Sequence, residues 1–255
     1  MWVTDAYNNN VVKMRASDGT VLGTFGAGTT PRGVAFDGAN IWVANQGSAN
    51  VTKLRASDGV VLGTFSLAGG GGALRLAFDG ANIWVVNINN NVTKLRASDG
   101  AVLGTFGVGA NPADVAFDGA NIWVTNQGSG NVTELRAGDG TVLGTFNLGG
   151  IPLGVAFDGA NIWVTDGGNN TVSKLRPSDG TVVGTFRAGT NADRVAFDGV
   201  NIWIADYAGN QVTKLRPGDG TVLGTFSVGA NPSDLAFDGA NMWVTNNNTN
   251  TVSKL

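Results

Sequence analysis

Seven tryptophans, Trp2, Trp42, Trp84, Trp123, Trp163, Trp203 and Trp243, stand 40, 42, 39, 40, 40 and 40 residues apart, and the sequence around each is nearly the same. A repeat of this length cannot bury its apolar face alone, so copies must stack on one another; such periods specify propellers or solenoids. The unit around the second tryptophan reads PRGVAFDGANIWVANQGSANVTKLRASDGVVLGTFSLAG.

Its local signals are strand and turn. Val34-Ala35-Phe36 is short and apolar and runs into the turn pair Asp37-Gly38. Ile41-Trp42-Val43-Ala44 is β-branched and aromatic and ends at Asn45 and a polar loop. Val51-Thr52-Lys53-Leu54-Arg55 follows, then the turn Ser57-Asp58-Gly59, then Val60 to Phe65. No stretch combines helical periodicity with caps, which excludes a helical solenoid. The expectation is therefore all-β: a single β-propeller domain over residues 1–255, built of four-stranded antiparallel blades. The strands are named inner, second, third and outer in chain order.

Inner and second strands are apolar on both faces, as sandwiched blades require. One tryptophan per blade at an identical place reads as a ring of core side chains rather than a ligand platform. The third strands carry Lys13, Lys53, Lys94, Lys174, Lys214 and Lys254, with Glu134 in the odd unit. This pattern fits an outer, partly solvated position that discourages pairing between molecules.

The strand count leaves two closures. Six inner, seven second, seven third and six outer strands fit a six-blade ring with redundant ends, or a seven-blade ring with two incomplete blades. Seven is favoured, because it leaves no strand without a place. Either closure leaves open edges, which predicts oligomerisation through them or a missing segment. Met1 fills the slot of Met242 and of the isoleucines before other tryptophans, so the chain also reads as a segment of a longer protein or a truncated or designed one.

Composition narrows the chemistry. Histidine and cysteine are both absent, which removes the usual neutral-pH base, thiolate metal sites and disulfides. A formal charge of −3 with no basic run gives nothing to hold nucleic acid, and no apolar run is long enough to cross a membrane as a helix. The expectation is a chain that is not an enzyme, with no cofactor and no metal.

The inner Pro-x-x-Val-Ala, the second-strand Ile-Trp-Val-Thr-Asn, the third-strand Val-Thr-Lys-Leu and the outer Thr-Val-Leu-Gly-Thr-Phe resemble the repeats of the YVTN and NHL families of bacterial propellers. More loosely, the chain resembles the virginiamycin B lyase-like propellers. The resemblance spans essentially the whole chain and implies the propeller fold and an extracellular or cell-envelope setting. Lyases of that kind use histidine, carboxylate and a divalent metal. Here there is no histidine and one glutamate, Glu134, so no catalytic residue carries over. Lactonase-type propellers hold a metal in an acidic channel cage; Asp114 and Asp234 are the best candidates here and are too few.

Comparing repeats within the chain separates constants from variables. Twelve Asp-Gly pairs recur at two turns per unit and read as hairpin chemistry rather than calcium loops. Variation gathers in the loops joining second to third strands and outer to inner strands, which share one face of a propeller around the channel mouth. That face collects the charges that do not recur, Arg32, Arg75, Asp114, Arg187, Asp193, Arg194 and Asp234, and the two tyrosines, Tyr7 and Tyr207. Just before the inner strand's first apolar residue the blades read Gly33, Arg75, Asp114, Gly154, Arg194 and Asp234, so Gly-Arg-Asp appears twice. Neighbouring Arg and Asp are expected to pair around the mouth, either merely neutralising one another or forming a polar pocket.

These residues make the first functional expectation a non-catalytic binding or scaffold module, with a protein or a polar small-molecule or glycan partner at the mouth. A carbohydrate-binding propeller is the second reading, an engineered or consensus-like scaffold without a ligand the third, and a lactonase- or lyase-like enzyme the last.

Overall fold

Each unit folds where its turn residues break it. Gly38 takes φ 97°, and the Asp37 Oδ1 accepts the backbone N–H groups of Ala39 and Asn40, which turns the chain back into the tryptophan strand. At the other turn, the Asp58 Oδ1 accepts the N–H of Val60 while Gly59 takes φ 78°. These two turns cut blade 2 into Pro31–Phe36, Asn40–Asn45, Asn50–Arg55 and Val61–Ser66, paired antiparallel in chain order. The computed structural model describes residues 1–67 and 71–255.

Among the described residues there are seven such sheets and no helix. Blades 2 to 6 have four strands each. Blade 1 (Trp2–Asp5, Asn10–Met14, Val21–Gly26) and blade 7 (Pro232–Phe237, Met242–Asn246, Thr251–Lys254) have three. The protein is a seven-bladed β-propeller, and the last tryptophan strand takes its own blade instead of competing with the first.

The core lies between blades rather than within any one of them. Trp42, Ala44 and Val51 of blade 2 pack on Ile83, Val85 and Leu95 of blade 3, and the same cluster recurs around the ring. The tryptophans are core side chains: Trp42, Trp84, Trp123 and Trp163 are fully buried. Each indole N–H of blades 2 to 7 donates to the Asp-Gly turn of its own blade, as Trp42 does to Asp37 at 2.8 Å. An outer-strand phenylalanine lies against the ring, Trp42–Phe65 at 5.5 Å between centroids. The next blade's turn closes over that phenylalanine: a Cβ on Gly100 would overlap the Phe65 ring, so glycine is required there for space as well as for its φ of 76°.

The third-strand lysines meet the expectation of a partly solvated position at Lys13, Lys174, Lys214 and Lys254, but Lys53 and Lys94 correct it. Lys53 and Lys94 are only 8% and 6% exposed. Lys53 Nζ stands 4.9 Å from the centre of the Trp42 ring and donates to the carbonyls of Ala97 and Ser98 in the next blade. Lys13, Lys94 and Lys174 address the following blade's turn in the same way. Lys254 closes the ring, donating from blade 7 to Ala16 and Ser17 of blade 1, both at 2.8 Å. Two units differ: Lys214 faces three-stranded blade 7 and stands 4.0 Å from Asp198 of its own blade, and Glu134 Oε1 accepts from Asn121 of its own blade.

Candidate functional site

Every inner strand meets its neighbour through an irregularity in register. The slip falls between Pro31 and Gly33 in blade 2, Ala73 and Arg75 in blade 3, Pro112 and Asp114 in blade 4, and Pro232 and Asp234 in blade 7. In blades 5 and 6 it is wider, from Pro152 to Val155 and from Ala192 to Val195. The non-recurring residues Arg32, Arg75, Asp114, Asp193, Arg194 and Asp234 all sit on these slips. A bulge breaks strand alternation and re-aims side chains, and here it falls at the variable positions of each inner strand.

The bulges are held from both sides. The residue ahead of several is left-handed, Thr30 at φ 51°, Asn111 at 49°, Asn191 at 56° and Asn231 at 55°, a conformation asparagine tolerates well. Their backbone N–H groups are bound by the side-chain oxygens of Asn9, Asn90, Asn170 and Asn210, each from the preceding blade. Second-strand hydroxyls of Thr4, Thr125 and Thr165 donate to the bulge carbonyls of Arg32, Leu153 and Asp193. A Cβ on Gly33 would lie 2.8 Å from Leu74 O, and one on Gly154 would lie 2.8 Å from Asp193 O. Those two glycines let the following inner strand approach where it carries Arg75 and Arg194.

One ion pair joins the two Gly-Arg-Asp triplets across the channel, which the expectation of neighbouring pairs did not include, while the other does form between neighbours. Arg75 of blade 3 pairs with Asp234 of blade 7 at 3.5 Å and donates to the carbonyl of Arg32 at 3.0 Å. Arg194 pairs with Asp193 of its own strand at 3.2 Å. Asp114 accepts backbone N–H bonds from Val115 and, in the next blade, Val155. Burial pushes the Asp114 and Asp193 carboxyls above their usual range, against the pull of Arg194 and Arg75. Burial also works against the Arg194 charge, but Asp193, Asp114 and Asp234 outweigh it and hold the guanidinium firmly protonated.

Over this cluster lies a cavity of about 310 Å³, within the size range of small-molecule sites. Its wall carries three guanidinium groups, Arg32, Arg75 and Arg194, and three carboxamides, Gln46, Asn111 and Gln127. Leu74, Ile88, Pro112 and Ala113 complete it. Asp114, Asp193 and Asp234 flank the arginines without lining the cavity.

Three expected residues fall outside. Arg187 ends the outer strand Val182–Arg187, exposed and paired in register with Thr171, far along its blade from the bulges. Tyr7 is 93% exposed in the loop after Trp2–Asp5 and lines no part of the cavity. Tyr207 holds the repeat position of Gln46, Ile88 and Gln127, one blade set away; its backbone carbonyl accepts from Asn231. The amides Gln46 and Gln127 were missed by reasoning from charge. Their signal is in the sequence all the same: the residue after the second strand's terminal Asn or Asp varies more than any neighbour, as Ala6, Gln46, Ile88, Gln127, Gly167, Tyr207 and Asn247.

The fold and site together define a seven-bladed propeller with a polar, arginine-rimmed cavity at one channel mouth. Among solved structures it is similar to a streptogramin B lyase, with a TM-score of 0.86 and 18% identity over 99% of this chain and 88% of the other. It is also similar to hydrazine synthase of Kuenenia stuttgartiensis, with a TM-score of 0.79 and 16% identity over 100% of this chain and 91% of the other. No family model and no curated protein matches the sequence. At these identities the likeness is one of fold, and a fold hosts many activities.

Proposed function

We propose that this chain is a non-catalytic binding module of the kind the YVTN and NHL repeat resemblance suggests, taking a polar partner at the channel mouth between blades 2 to 4 and Arg194 of blade 6. The observation that supports it is the cavity rimmed by Arg32, Arg75 and Arg194 with Gln46, Asn111 and Gln127, mounted on bulges that the neighbouring blades hold fixed. Side chains placed this way recognise and orient. Nothing among them is a histidine, cysteine or glutamate, and the lone glutamate of the chain, Glu134, is buried between blades and bound to Asn121. The lyase likeness in fold supplies the competing reading, an enzyme at the same mouth.

A thermal-shift screen of polar small molecules and glycans on the full chain, repeated on an Arg32→Ala/Gln46→Ala/Gln127→Ala variant, tests this. A ligand present at a hundred times its Kd should raise Tm by about 5–10 °C in the parent protein and leave the variant unmoved. Ligands that stabilise both proteins equally would place binding elsewhere. Conversion of any hit to product would make the site an active site and overturn the reading.

A further inference from the structure

We infer that the ligand of this cavity carries an oxyanion, and that it is a small hydroxylated acid, such as a uronic acid or a sugar phosphate, seated with its anion on the arginine wall. The inference rests on the binding reading above and gives it a substrate class.

Three observations carry it. The charged groups on the wall are all cationic, whereas the nearby carboxylates do not line it and two of them pair with Arg75 and Arg194. Asp114 is bound by two backbone N–H groups, Asp193 faces Arg194 at 3.2 Å, and Asp234 accepts from Leu235 and faces Arg75. Second, Arg194 is desolvated and underused. Its side chain is 14% exposed, its Nε is buried without a hydrogen-bond partner, and its Nη1 meets Asp193 Oδ1 at 3.2 Å as an ion pair without making an aligned hydrogen bond. A guanidinium offers five donors in a planar fork that matches a carboxylate or phosphate, and leaving a buried donor of this kind unmet is costly. A small adjustment of this side chain on binding would give those donors an acceptor.

Third, the rest of the wall suits a polyol. Gln46 Oε1 accepts from Arg32 Nε at 2.8 Å, which orients its amide and ties the two side chains into one unit. Gln127 and Asn111 add carboxamides, each both donor and acceptor, the pairing a row of hydroxyls requires. Ile88, 45% exposed, and Leu74 give an apolar strip for C–H edges. The volume of about 310 Å³ suits a ligand of monosaccharide size rather than a long chain.

The test is calorimetric titration of the full chain with glucuronate, glucose 6-phosphate and neutral glucose, on the parent protein and on Arg194→Met and Arg32→Gln variants. The expected result is that at least one acid binds, that glucose binds about tenfold more weakly or worse, and that each variant loses about tenfold of the acid's affinity. Preference for glucuronate or for glucose 6-phosphate distinguishes carboxylate from phosphate. Circular dichroism checks that Arg194→Met is folded; if it is not, the exposed Arg32→Gln decides alone. Glucose binding as tightly as the acids would overturn the oxyanion and leave the binding module standing. Acid binding that is unchanged in the variants, or no acid binding up to about 10 mM, would overturn the inference, and the broader screen above would then judge the module separately.

Discussion

Asp206 ends the second strand of blade 6, where blades 2, 3, 4 and 7 place Asn45, Asn87, Asn126 and Asn246. The asparagine amides donate to a third-strand hydroxyl, as Asn45 does to Thr52 at 3.0 Å and Asn87 to Thr93 at 2.9 Å. In blade 6 the polarity reverses, and the Thr213 hydroxyl donates to Asp206 Oδ2, leaving Oδ1 without a partner. Asp206 is fully buried, and burial pushes its carboxyl up to about 6, against hydrogen bonds from Thr213 and Gln211. A raised carboxyl means that the folded chain holds this proton more tightly than the unfolded chain. Stability from this group is therefore greatest below about pH 4, falls as pH rises towards 6, and stays reduced above it, by on the order of 3 kcal/mol. Asp206→Asn should raise Tm by several degrees at pH 7 and by little at pH 4, read as the difference from the parent protein at each pH. An advantage that is equal at both pH values would show that charge burial is not its cause. The sequence marks this place only as the end of a second strand, because Asp5, Asp166 and Asp206 stand there beside four asparagines and the residue type gives no sign of how deep each sits.

At the scale of the element, the blade junction is the unit that matters, and the sequence showed half of it. The tryptophan ring and the Asp-Gly turns were plain because they recur without exception and follow from propensity alone. The lysine's role was not, because alternation along a strand does not say what a four-carbon stem reaches in the next blade. Glu134 makes the cost visible. It takes the slot from which Lys94 grips Ala137 and Gly138, and it draws the Asn121 side-chain amide to itself while the Asn121 backbone N–H stays on Asp118; the equivalent Asn82 amide donates to Asp79. Burial, with Asp118 adding to it, raises the Glu134 carboxyl. Glu134→Lys should restore a grip on the blade 5 turn and stabilise the protein by roughly 1–3 kcal/mol, measured by urea unfolding. A loss of stability would mean that the blade 4–5 junction has settled into a different packing. The inner-strand bulges were equally hidden. Their residues were picked out because they vary, but variation does not reveal a register slip, so the neighbouring pair Arg194–Asp193 was within expectation and the cross-channel pair Arg75–Asp234 was not.

At the scale of the molecule, the number of blades followed from counting strands, whereas the way the ring shuts did not. Among the described residues no strand is shared between blades 7 and 1; Lys254 over the Trp243 ring, with its two carbonyl acceptors in blade 1, spans that junction. Lys254→Met should cost about 1 kcal/mol and speed amide exchange in blades 1 and 7 while blades 3 to 5 stay protected. Uniform acceleration around the ring would show that closure is carried elsewhere. The acceptors that these lysines find are main-chain carbonyls, beneath side chains as unlike as Ala97-Ser98, Ala137-Gly138 and Pro217. The handshake between blades thus takes no account of the sequence it grasps. A blade behaves as an interchangeable cassette, and transplanting one, with its own bulge residue, would rewrite the chemistry of the channel mouth without renegotiating the wheel that carries it.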